Sequence, residues 1–111
     1  MDTLWSNLAK GLQEGAVVAA DKAGDLTRIA RARLDIAATK NQIQRTQTEL
    51  GARVHELLTA GSDLAADTQV QALCNQLTAQ GDELLAAETA YADLQSELQS
   101  RDDTDAELED I

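Results

Sequence analysis

Large aliphatic residues recur every seventh position at Ile29, Ile36, Ile43, Leu50 and Leu57. A second ladder with the same step follows at Val70, Leu77, Leu84, Tyr91 and Leu98. A helix holds such a row against a partner helix, because a seven-residue repeat drifts only slowly around an α-helix. Folding the chain back near Gly61 superposes the two rows. Leu57 then faces Val70, Leu50 faces Leu77, Ile43 faces Leu84, Ile36 faces Tyr91 and Ile29 faces Leu98. The pseudo-centre of this pairing falls between Asp63 and Leu64. Two ladders sharing one antiparallel register predict an all-α fold, an antiparallel coiled-coil helical hairpin over residues 25–100 with its turn near 60–63.

Nothing else in the chain competes with that plan. Among 111 residues there is no Pro and no Phe, and Trp5 and Tyr91 are the only aromatics. Such a composition suits long helices and gives little bulk for a globular core. Between the large layers of the first arm lie small or polar ones, Ala32, Thr39, Thr46 and Arg53, with Leu26 and Val54 beside the stripe. The Gln- and Thr-rich stretch 39–49, whose single large apolar residue is Ile43, is expected to pack most loosely. Gly61 suits the left-handed residue that ends a helix, and Ser62 or Asp63 can cap the next one. In the second arm Leu73 and Leu94 stand beside the ladder. The register sets Arg45 near Asp82, Lys40 near Glu88, Arg33 near Asp93 and Arg31 near Glu97. Leu34, Leu58, Leu64 and Leu85 fall off the seam. A lone seam is thin for the entropy of ordering two long helices, so self-association or docking of the N-terminal helix is expected to complete the core.

Residues 1–24 form a separate pattern, an N-terminal amphipathic helix with Leu4, Trp5, Leu8 and Leu12 on one side. Asp2 or Thr3 can cap its start, and Gly11, Gly15 and Ala19 leave room for a close helix. This face suits a helix packed on the hairpin or on a partner. The other reading, insertion into a membrane interface, has only Lys10 and Lys22 to flank it against Asp2, Glu14, Asp21 and Asp25. Gly24 and Asp25 are the natural joint to the hairpin, although nothing forces a break there.

Charge narrows the partners. The chain carries a net −11, placed unevenly. Residues 22–60 hold seven basic groups against four acids, and residues 63–98 hold seven acids and no base. Residues 101–111 form an acidic tail expected to be disordered or a frayed helix end. So acidic a chain repels nucleic acid. No stretch is long and apolar enough to span a bilayer, no signal peptide is recognisable, and one Cys gives no disulfide framework, which together lead us to expect a cytoplasmic protein.

Catalytic chemistry has no foothold in the sequence. His55 reads as a surface helix residue and Cys74 as a small buried hydrophobe beside the seam. One His and one Cys cannot assemble a zinc site, and no phosphate-binding glycine loop occurs. The expected inventory is no catalytic, cofactor or metal residue. The segments ARLDIAATKNQIQRTQTELGARVHELLTAG and VQALCNQLTAQGDELLAAETAYADLQSEL resemble small bacterial helical-hairpin proteins of unassigned function that often carry a terminal zinc ribbon. Glu49, Leu50, Gly51, Val54, Glu56, Leu57 and Gly61 match that family's approach to the turn. The ribbon's paired cysteines are absent here, so the resemblance implies no zinc. The function expected is a coiled-coil interaction or scaffold protein acting on itself or on another helical protein. The alternative is a membrane-surface protein using its N-terminal helix in an ESCRT-III-like assembly.

Overall fold

The computed structural model describes the backbone from Asp2 to Glu109 and the side chains of residues 3–10 and 21–104. Two helices, α1 (Asp2–Ala60) and α2 (Thr68–Glu109), fold back on each other around the loop 61–67 as a helical hairpin. The molecule measures 89 × 24 × 15 Å. At a rise of about 1.5 Å per residue, α1 alone accounts for the long dimension.

Helix α1 passes Gly24 without interruption. The Thr27 hydroxyl donates to the Ala23 carbonyl across that position at 2.9 Å, and a Cβ built on Gly24 would meet nothing. One Gly costs only about 1 kcal/mol in a helix interior, and no Pro or left-handed residue adds to it. The expected amphipathic segment 1–24 is therefore the first part of α1. Likewise α2 runs through the acidic tail as far as Glu109.

Burial follows an alternation of three and four. Along α1 the covered positions are Ile29, Ala32, Ile36, Thr39, Ile43, Thr46, Leu50, Arg53 and Leu57, with Val54 beside them. Along α2 they are Val70, Leu73, Leu77, Gln80, Leu84, Ala87, Tyr91, Leu94 and Leu98. All ten expected ladder residues lie in this seam. Leu73 and Leu94, expected beside it, belong to its alternate rungs and with Leu57 are the buried hydrophobics. The middle holds a surprise. Thr46 is 3% exposed and Gln80 8%, so the stretch expected to pack most loosely contains the most deeply covered of these residues. The Thr46 hydroxyl is satisfied by the Gln42 carbonyl at 3.0 Å, whereas Gln80 Oε1 is buried with no partner.

The turn begins as expected and ends later. Gly61 has φ +69°; its N–H donates to the Leu58 carbonyl at 3.2 Å and that of Ser62 to the Leu57 carbonyl at 2.9 Å. This is the Schellman closure, which satisfies two carbonyls the helix end leaves free. Helix α2 then starts at Thr68, capped by Asp67 rather than by Ser62 or Asp63. Asp63 instead accepts from the Ala65 N–H at 3.0 Å inside the loop. Asp67 accepts from the Val70 N–H at 2.9 Å and takes a two-pronged bond from Arg53, Nη2 at 2.7 Å and Nε at 3.2 Å. Arg53 thereby ties the capping Asp67 to α1.

The ion pairs depart from expectation for a geometric reason. Among the described residues Arg31, Asp82 and Asp93 lie on outward rows of their helices and do not bridge the arms; Arg45 lines the groove over Thr46 and Gln80, and Lys40 and Glu88 flank the seam, without forming a bridge. The contacts that form sit at the seam's edges: Arg28 with Glu97 at 3.2 Å and Arg101 with Asp25 at 3.3 Å. Arg33 donates from Nε to the Tyr91 hydroxyl at 3.0 Å, not to Asp93, and its guanidinium carbon lies 5.7 Å from the ring centroid. These exposed pairs fix register more than they stabilise.

Two outcomes follow from the polar layer and the cap. Gln80→Leu removes an unpaired buried acceptor and should raise stability by roughly 1–3 kcal/mol, read as a higher Tm by circular dichroism. A lower Tm would show that the Gln amide is satisfied within the fold. The bonds from Arg53 and then from the Val70 N–H lower the Asp67 pKa from 3.8 to about 2. A depressed carboxylate stabilises the fold fully above its unfolded value and loses that effect as pH falls through the folded one. Asp67→Asn should therefore lower Tm at pH 7, with the deficit shrinking as pH falls toward about 2 and vanishing only below it. An equal deficit at both pH values would place the loss elsewhere than the charged clasp.

Candidate functional site

A two-helix hairpin has a covered seam and open flanks, so any site must lie on an open surface. The observed contacts label the flanks. Arg28 and Glu97 mark one, and Arg33 with Tyr91 and Gln95, whose Nε2 donates to the Tyr91 hydroxyl at 2.9 Å, marks the other.

The Arg28 flank is polar. At its middle a shallow groove lies over the Thr46–Gln80 layer, lined by Gln42, Arg45, Glu49, Gln76, Ala79 and Glu83 besides those two residues. Further along its two helices stand Asp35, Glu56 and Glu97.

The Arg33 flank is apolar by comparison. Leu26, Leu58 and Leu85 are each more than half exposed on its rows, with Val54 half-buried between them. Gly51 and Gly81 lie on the same rows, and a Cβ on either would meet nothing. Leu26, Ile29 and Leu98 form an apolar hollow near the open end, edged by Lys22, Asp25 and Asp102. Cys74 belongs to this flank and is exposed, contrary to the buried role expected; it stands one residue beyond Leu73, where only another helix would cover it.

A third surface is the start of α1. Helices that run antiparallel from the Asp25–Arg101 pair leave the end of α2 short of residues 3–10. Leu4, Trp5 and Leu8 are accordingly exposed, each by more than half. Leu12, the fourth member of the expected face, lies outside the residues whose side chains are described.

His55 is exposed on α1, and among the described residues no three His, Cys, Asp or Glu side chains are grouped closely enough to hold a metal ion. Among them, too, no helix is long and apolar enough to cross a membrane. Comparison with family models, with curated proteins and with solved structures finds no match to this chain.

The sequence pointed to the start of α1 and noted the off-seam leucines singly; it did not gather them into one flank. The signal was available in Leu26, Val54 and Leu58 on α1 and Cys74, Gly81 and Leu85 on α2, which share rows once the turn is placed. Exposure of Cys74 is directly measurable. Titration of the dilute native chain with a thiol reagent should label Cys74 at nearly the rate of the unfolded chain, and slow labelling would mean that the flank is covered.

Proposed function

We propose that this chain is a non-enzymatic interaction protein, a coiled-coil hairpin that acts by self-association or by holding a partner helix. The observation that carries the reading is the thinness of the seam. It buries Leu57, Leu73 and Leu94, while Leu4, Trp5, Leu8, Leu26, Leu34, Leu58 and Leu85 remain exposed among the described residues. Those of them that gather on the Arg33 flank and at the start of α1 suit an interface with another helix. The resemblance to bacterial hairpin proteins and the lone cysteine support a bacterial, cytoplasmic setting for this role.

The second reading, attachment to a membrane surface through the start of α1, draws support from the exposure of Leu4, Trp5 and Leu8 beyond the reach of α2. Basic residues that would favour an anionic surface are few there, Lys10 standing among acids.

Sedimentation equilibrium at micromolar concentration should show a dimer or larger species, with a Tm that rises with concentration. Raising salt from about 0.02 to 0.5 M shortens the Debye length from roughly 20 Å to about 4 Å. With a net −11, that screening relieves repulsion between copies and should tighten association. A monomer at every concentration, pelleting with anionic vesicles until Leu4→Glu and Leu8→Glu abolish it, would establish the membrane reading in place of the first.

A further inference from the structure

We infer that the Arg33 flank is the docking face for a second copy of this chain, and that the two copies pair about a two-fold axis parallel to the hairpin, α1 of each against α2 of the other. The inference rests on the self-association reading and gives it a surface and a symmetry.

Position on the helix comes first. The rows that hold Leu26 and Val54, and Leu58 and Leu85, lie roughly 75° and 130° around each helix from the middle of the seam, on either side of a right angle. Adjacent neighbours in a four-helix bundle approach each helix from directions near a right angle, so these rows can form a second seam without disturbing the first. Gly51 and Gly81 fit the same picture. Each costs about 1 kcal/mol against Ala in a helix interior, neither has positive φ, and the hairpin itself leaves the space above both empty. A second hairpin would use that space for close backbone approach.

Charge then selects the occupant and its orientation. On this flank the charged residues of α1 that border the seam are basic, Arg33 and Lys40, and those of α2 are acidic, Glu88 and Asp102. The register fixed by Asp25–Arg101 and Arg28–Glu97 puts Lys40 and Glu88 at the same height. Neither takes part in an ion pair within the chain, as judged over the described residues. A two-fold axis along the hairpin carries Lys40 of each copy over Glu88 of the other. It makes every pair of adjacent helices antiparallel and leaves the acidic α2 helices on a diagonal, as far apart as the bundle allows. Reversing the second copy end for end would stack α2 on α2. Docking on the Arg28 flank would bring Asp35, Glu49 and Glu56, only partly offset by Arg28 and Arg45, onto Glu83 and Glu97 of the other copy, and Arg28 is already paired with Glu97 of its own chain. Both alternatives set acids against acids.

The test uses the full chain. Leu58→Glu with Leu85→Glu should weaken dimerisation by about tenfold or more while circular dichroism of the dilute chain stays helical, since both side chains are exposed in the hairpin. Ala79→Glu on the Arg28 flank serves as the control and should leave the dissociation constant unchanged. Lys40→Glu should weaken the dimer, and adding Glu88→Lys should restore it. Spin labels at Ser62→Cys in a Cys74→Ser background should report one short tip-to-tip distance. A dimer unaffected by the leucine changes, or one broken by Ala79→Glu alone, would overturn this face and leave self-association standing. Tips far apart would overturn the symmetry. A monomeric parent chain would overturn the self-association reading itself.

Discussion

Everything in this molecule depends on a single strip of contact between two helices. The strip is one side chain deep and repeats in steps of three and four, so each covered residue on α1 rests among residues of α2 at the same height. Among the described residues no third element braces it, and the hairpin's other contacts lie at its edges or its turn. Stability and register are then the same property. A slip by one heptad would put different residues into every layer and would break the Arg53–Asp67 clasp, whose partners are held by the turn.

The strip is not optimised for stability alone. A seam built wholly of leucine and isoleucine tolerates several registers and copy numbers, because each layer resembles the next. Here the layers differ: Thr46 with Gln80 near the middle, Thr39 and Ala87 beside it, and Tyr91 toward the open end, its hydroxyl held by Arg33 and Gln95. The threonine hydroxyls are satisfied by carbonyls one turn back in their own helix, which lets polar residues sit in the seam without demanding partners across it. Gln80 is the exception: its Oε1 has no partner within the described residues, and with Thr46 it makes a layer unlike its neighbours.

The hairpin could be read from the chain because its strongest signal, a seven-residue row on each arm, depends only on side-chain size. Its alternate rungs were harder to see. Leu73 and Leu94 are the only large apolar residues among Leu73, Gln80, Ala87 and Leu94, so the row looked like a flank and proved to be core. The helix start was misplaced because Ser62, Asp63 and Asp67 all have capping chemistry, and the one that caps is bonded to Arg53, fourteen residues before it. Ion pairs failed for a related reason. Opposite charge at the same height does not suffice unless both residues border the seam: Arg31, Asp82 and Asp93 are exposed on outward rows, so Arg45, which lines the groove over Thr46 and Gln80, does not meet Asp82 there.

The placement of the turn also orders the folding process. Contacts along the seam link residues ever farther apart in sequence, from Arg53 and Asp67, 14 positions apart, to Asp25 and Arg101, 76 apart. Closing the longer loop directly from an open chain costs about 1.5 kcal/mol more than closing the shorter one. Once the turn has formed, each further layer adds only a short increment of chain. The hairpin is thus built to close like a zip from Gly61 outward. Opened by heat or by force, it should part in the opposite order, yielding first at the acidic end and last at the Arg53 clasp.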